Sequence, residues 1–105
     1  MTRLLLPVLY VCAAYAQDYR ATISGKITDQ HGAAIPNAKV RAVQRATNEV
    51  TAATTNQEGY YALNCLQPGV FDVEVEATGF SLQKHANLTL LVAQKLDLLI
   101  QLEVG

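Results

Sequence analysis

From Ala21 onward the apolar residues return at every second position, in short runs separated by Gly, Pro and Asn. A period of two puts successive side chains on opposite faces of an extended chain. It therefore selects strands and excludes amphipathic helices, whose apolar residues return every three or four positions. The first run, Ala21 to Thr28, sets Ile23, Gly25 and Ile27 on one side, and Asp29-Gln30-His31-Gly32 closes it as a turn. The second extends from about Ala38 through Val40, Ala42 and Ala46. Pro36 has no N–H to give a ladder and stays outside it.

Val50 to Thr55 is rich in Thr and β-branched residues and ends at Asn56-Gln57-Glu58-Gly59. There Asn supports an Asx-turn and Gly supplies positive φ. From Gly59 the chain is expected to point Tyr61, Leu63 and Cys65 inward and Tyr60, Ala62 and Asn64 outward, until Pro68-Gly69 turns it. Phe71, Val73, Val75 and Ala77 then alternate with Asp72, Glu74 and Glu76, one face dry and one wet. After the break at Gly79-Phe80, one run carries Leu88, Leu90 and Val92, and the last carries Leu96, Leu98, Ile100, Leu102 and Val104. The expectation is an all-β domain, a seven-stranded antiparallel Greek-key β-sandwich. At 105 residues the chain has room for one such core.

Residues 1–20 follow a different grammar. Arg3 precedes an apolar stretch from Leu4 to Ala14, and the small-x-small triplet Ala14-Tyr15-Ala16 precedes Gln17. This is the layout of a secretory leader cleaved between Ala16 and Gln17. The stretch is roughly 11 residues, about 16 Å as a helix, against the ~20 residues that a membrane span needs. The domain plan is thus a signal peptide over 1–16, a short linker over 17–20 and the β-domain over 21–105. The mature chain is expected to be exported with no membrane span, and to be periplasmic, outer-membrane-associated or secreted. Cys12 falls within the leader and is a poor lipidation site, because the bulky Val11 stands where a small residue is wanted. Cys65 is then the one cysteine of the mature domain, so no intramolecular disulfide is expected, and its alternation with Tyr61 and Leu63 assigns it to the core.

Removal of the leader leaves seven basic against nine acidic side chains, so no basic field exists to hold nucleic acid. Zinc chemistry needs about three converging ligands, but the two histidines, His31 and His85, have no His or Glu three or four positions away. Both are expected at the surface. Ser24 and Ser81 lack a nucleophile elbow, and no phosphate loop is present. Asp72, Glu74 and Glu76 place carboxylates about 7 Å apart on one strand face, an arrangement expected to be solvated and not to hold calcium. Lys26 and Asp97 alternate outward, which argues against an internal isopeptide bond. Asn87-Leu88-Thr89 is a glycosylation sequon. No catalytic residue, metal or cofactor is expected. A glycan site needs exposed aromatic faces with polar neighbours, and the candidate ligand contacts are Tyr60, Tyr19 and Asn64.

Gly25-Lys26-Ile27-Thr28-Asp29-Gln30-His31-Gly32 followed by Ile35-Pro36-Asn37-Ala38-Lys39-Val40 resembles the opening of the carboxypeptidase regulatory-like domain, a transthyretin-like sandwich. Gly59-Tyr60-Tyr61-Ala62-Leu63, Leu66-Gln67-Pro68-Gly69, Phe71-Asp72-Val73-Glu74-Val75 and Gly79-Phe80 continue the resemblance in order and spacing. The ending from Leu88, with Val92-Ala93-Gln94-Lys95, is similar to the version that precedes TonB-dependent outer-membrane receptors. These are turn and core residues, and the resemblance carries no catalytic group. It implies a non-catalytic accessory or interaction domain at envelope receptor or surface machinery, with a protein partner or a polysaccharide; the alternative is a carbohydrate-binding module.

Overall fold

The computed structural model describes residues 19–105. The leader, its junction at Ala16 and Gln17, and Cys12 lie outside the described residues. Eight strands follow one another: β1 (Ala21–Thr28), β2 (Lys39–Gln44), β3 (Val50–Thr54), β4 (Tyr60–Leu66), β5 (Gly69–Glu76), β6 (Gln83–Leu90), β7 (Lys95–Asp97) and β8 (Ile100–Gln101). They form two four-stranded sheets. One has the order β4-β1-β7, with β8 also on β1; the other has the order β3-β2-β5-β6. The inward residues of both, among them Ile23, Ile27, Val40, Leu63, Val73, Val75, Leu90 and Leu102, form a single buried cluster. The all-β sandwich read from the sequence is the fold.

Alternation alone accounts for much of it. β1 begins and ends where the period-two pattern does, with Ala21, Ile23, Gly25 and Ile27 buried. The turn after it forms because Asp29 Oδ1 accepts from the N–H groups of His31 and Ala33 at 2.8 and 2.9 Å. Those two donors, Ala33 first, hold the Asp29 carboxyl below its ordinary pKa. Asn56 repeats the device: its Oδ1 accepts from Glu58 and Tyr60 N–H, and Gly59 follows at φ 83°. A Cβ there would come within 2.7 Å of Ile27 O.

The structure departs from the expected pattern where an extra residue enters a strand. Ile23 faces Leu63 but Ala21 faces Leu66, so β4 carries a bulge. Cys65 sits in it at φ 58° and is exposed, while Leu66 takes the inward position assigned to Cys65. A second bulge, at Asn87 (φ 59°), shifts β6 against β5. Ala46 and Val92 fall in turns and are exposed rather than extending their strands. His85 is half-buried, not at the surface: it lies opposite Val73, and its Nε2 is shielded from solvent with no hydrogen-bond partner among the described residues.

The end of the chain differs most. The run Leu96 to Val104 was expected to be one antiparallel strand; it forms β7 and β8, both parallel to β1, so the strands number eight and not seven. The register is continuous across the break, with Thr22 opposite Lys95 and Thr28 opposite Gln101. The interruption at Leu98-Leu99 lies beside Gly25. A Cβ on Gly25 would sit 1.9 Å from Leu98 O, so the absent side chain makes room for the Leu98 peptide. Tyr61, opposite Gly25 on the other flank of β1, donates its hydroxyl to that carbonyl at 2.6 Å. Leu102 remains buried, whereas Val104 is 72% exposed and meets Phe80 in an isolated bridge.

Because the atom in the way belongs to the backbone, Gly25→Ala is expected to destabilise the fold by about 3 kcal/mol or more, measured by denaturant unfolding. Tyr61→Phe, which leaves Leu98 O unpaired, is expected to cost about 1–3 kcal/mol. Burial, with the negative Asp97 adding to it, raises the Tyr61 pKa above its ordinary value of 10. The neutral phenol is therefore favoured in the folded state. Its stabilisation is complete below pH 10 and is lost as pH rises beyond that. Between about pH 9 and 12 the wild type is expected to lose stability more steeply than Tyr61→Phe.

Candidate functional site

The sequence-predicted ligand residues are placed by β1 and β4. Tyr60, Ala62 and Asn64 stand exposed on the outer face of β4, since the inward positions before the bulge belong to Tyr61 and Leu63. Tyr60 lies opposite Lys26 of β1, whose Nζ is 5.4 Å from the ring centroid, a cation–π contact. Ala62 lies opposite Ser24, and Ser24 in turn pairs with Asp97 on its other side. Thr22 pairs with Lys95. The outer face of this sheet thus sets Thr22, Ser24 and Ala62 among the charged Lys26, Lys95 and Asp97, with one aromatic ring, 52% exposed, at its edge.

Tyr19 does not join that ring. It precedes β1 at the end opposite Lys26, whose position is about 17 Å along the strand from Ala21. Ala93 N–H fixes its backbone carbonyl, and Arg20 covers its ring at 5.5 Å. The same guanidinium donates to Cys65 O at 3.3 Å, which brings Arg20 beside the β4 bulge that follows Asn64 in the chain. The three predicted contacts therefore do not form one site: Tyr60 stands with Lys26 at one end of β4, while Tyr19 and Asn64 lie toward the other.

Sequence reasoning did not find the cavity between the two sheets at the bulged end. It has a volume of about 110 Å³ and is lined by Arg20, Gln44, Glu49, Thr51, Cys65 and Gln67, among others. Gln44 reaches it from an inward position of β2; its Nε2 donates to Pro68 O at 3.3 Å, and its Oε1 accepts from Thr47 Oγ1. Gly69 permits this, because a Cβ there would lie 2.8 Å from Gln44 Nε2. The signal available beforehand was a Gln at an inward strand position, which a core tolerates only with partners. Thr55 is similar: it is 3% exposed, accepts from Ala38 N–H at 2.8 Å and donates to Ile35 O at 2.7 Å.

Two members of the acidic row on the other sheet, Asp72 and Glu74, are paired with neighbouring cations. Arg41 hydrogen-bonds Glu74, Arg45 Nη1 lies 3.7 Å from Asp72, and Lys84 Nζ lies 4.0 Å from Glu74. The bond to Glu74 raises the Arg41 pKa. These pairs are part-exposed and of small individual worth, but they leave Asp72 and Glu74 engaged with cations. Among the described residues no group of three His, Cys, Asp or Glu side chains is arranged to hold a metal, and no helix is long and apolar enough to cross a membrane.

Residues 22–103 match the family model of the carboxypeptidase regulatory-like domain. No curated protein sequence matches the chain. Several solved structures share the fold. A candidate carbohydrate-binding protein from Bacteroides uniformis superposes with a TM-score of 0.65 at 17% identity, over 80% of this chain and 41% of that one. A type II cohesin–X–dockerin complex from Acetivibrio cellulolyticus gives 0.66 at 17% identity, over 81% and 58%. A catechol 1,2-dioxygenase from Acinetobacter radioresistens gives 0.68 at 11% identity, over 89% and 54%. At such identities the likeness is one of fold alone, and in each case the chain corresponds to part of a longer polypeptide.

The bulge predicts a chemical property opposite to that of a core thiol. Cys65 is expected to react with a maleimide or aromatic disulfide in the folded protein, within about tenfold of a free thiol's rate. Labelling only after unfolding would return Cys65 to the interior.

Proposed function

The chain belongs to the carboxypeptidase regulatory-like domain family, and we propose that it is a non-catalytic, exported accessory domain that binds a protein partner at the cell envelope. The observation that carries this reading is the outer face of the β4–β1 pair. Tyr60, Lys26, Ala62, Ser24 and Asn64 are presented together there, and the core requires none of their side chains. A ring flanked by small polar groups on a rigid sheet is a surface made for contact rather than for bond making, since nucleophile, base and metal ligands do not converge on it. Export rests on Arg3, the apolar stretch Leu4 to Ala14 and Ala14-Tyr15-Ala16.

A carbohydrate-binding module is the second reading, favoured by the half-exposed Tyr60 ring with hydroxyl and amide neighbours and by the description of the Bacteroides uniformis protein. The two separate experimentally. A photo-crosslinking residue at position 62, in the intact producing cell, is expected to give one discrete adduct with an envelope protein. Retardation in gels containing envelope polysaccharide, abolished by Tyr60→Ala, would replace the first reading with the second. Amino-terminal sequencing of the recovered protein is expected to begin at Gln17, and an intact Met1 would overturn export.

A further inference from the structure

Sheet edges invite pairing with other chains, and proteins close them with bulges, charges, prolines or shortness. β6 is broken by its bulge at Asn87 and carries Lys84. β4 is bulged at Cys65, and its Tyr60 carbonyl is already taken by Asn56 N–H. β7 and β8 are three and two residues long. β3 has no device beyond a modest length. Its sequence, Val50-Thr51-Ala52-Ala53-Thr54, contains no charge and no proline, and its register with β2 runs without a shift.

The ladder fixes which of its backbone groups are unpaired. Gln44 N–H donates to Glu49 O and Thr55 N–H donates to Ala38 O. In an antiparallel pair these orientations alternate, so Thr51 and Ala53 turn their amide groups to β2 while Val50, Ala52 and Thr54 turn theirs away. No strand is hydrogen-bonded to β3 on that side among the described residues. The side chains of Val50, Ala52 and Thr54 are exposed too, Val50 by 52%.

We propose that this edge pairs with the same edge of a second copy, antiparallel, about a two-fold axis through Ala52. A two-fold contact requires a surface complementary to itself, and β3 meets that condition residue by residue. Ala52 faces its own copy and exchanges both backbone hydrogen bonds with it. Val50 faces Thr54 of the other copy, and no charge opposes a like charge. The exposed Val50 then packs beside Thr54, next to the hollow that Lys39, Arg41, Ala52 and Glu76 enclose on the outer face. The two β3-β2-β5-β6 sheets become one continuous sheet of twice the width. This surface is separate from the β4–β1 face, so the pairing stands or falls independently of the proposed partner.

Sedimentation velocity of the protein as recovered from its host, from micromolar to millimolar concentration, is expected to show a reversible monomer–dimer equilibrium. Ala52→Pro removes an outward N–H without touching the ladder to β2, and Ala52→Lys places two cations face to face; each is expected to weaken the dimer at least about tenfold. In a Cys65→Ser background, Ala52→Cys is expected to cross-link to its copy on mild oxidation, because facing Cα atoms about 5.5 Å apart suit a disulfide. Thr54→Cys, which faces Val50, is expected to remain reduced. A dimer indifferent to both Ala52 substitutions would place the contact elsewhere and overturn the proposal. A monomer at every concentration would overturn it as well, and would leave the edge to a strand from a different protein.

Discussion

The contact among Gly25, Tyr61 and Leu98 ties together the three strands on which the first sheet is built. Gly25 is central, with Tyr61 opposite it on β4 and the Leu98 peptide beside it toward β7. The tyrosine hydroxyl reaches past the space that a side chain on residue 25 would fill and gives the part-buried Leu98 carbonyl a donor. Remove the hydrogen atom that serves as a side chain at residue 25, or the oxygen at the tip of Tyr61, and the last segment loses its seat. Ile100 and Leu102, both buried, follow that segment into the core.

Two polar side chains extend the same logic through the interior. Thr55 fastens the loop before β2 to the end of β3, and Gln44 fastens β2 to the turn before β5. Each is buried and hydrogen-bonded, so neither leaves an unmet polar group in the core. With the interior settled in this way, the two outer faces diverge. One carries its own counter-charges, Arg41, Arg45 and Lys84 against Asp72 and Glu74. The other carries the half-exposed Tyr60 ring beside Lys26, with Ser24 and Ala62 further along the pair.

Alternation made legible what is local: the extent of β1, the turns at Asp29 and Asn56, the outward row Tyr60, Ala62 and Asn64 on β4. It failed where a residue was inserted or a partner was distant. A strict period of two carried Cys65 inward, although Leu63 and Leu66, three apart, marked a slip in phase. Nothing local distinguishes a parallel neighbour from an antiparallel one, so the pairing of β7 and β8 with β1 was out of reach. His85 sits on a strand whose inward positions also include Gln83, which diluted the apolar signal. The separation of Tyr19 from Tyr60 required knowing which end of β1 each occupies.

The parallel pairing of β1 with β7 and β8 also governs the order of events in folding. A core whose first strand is completed by its last holds contacts of very long sequence separation, the kind that slow the search for the native state. Until Leu98, Ile100 and Leu102 are available, β1 lacks a neighbour on one side and Tyr61 lacks its acceptor. In a chain that emerges amino end first, the β3-β2-β5-β6 sheet and the β4-β1 pair have all their strands before β7 and β8 arrive, and one flank of β1 waits for them. Closure of the sandwich would be timed by the arrival of its final residues rather than by the rate at which any single hairpin forms.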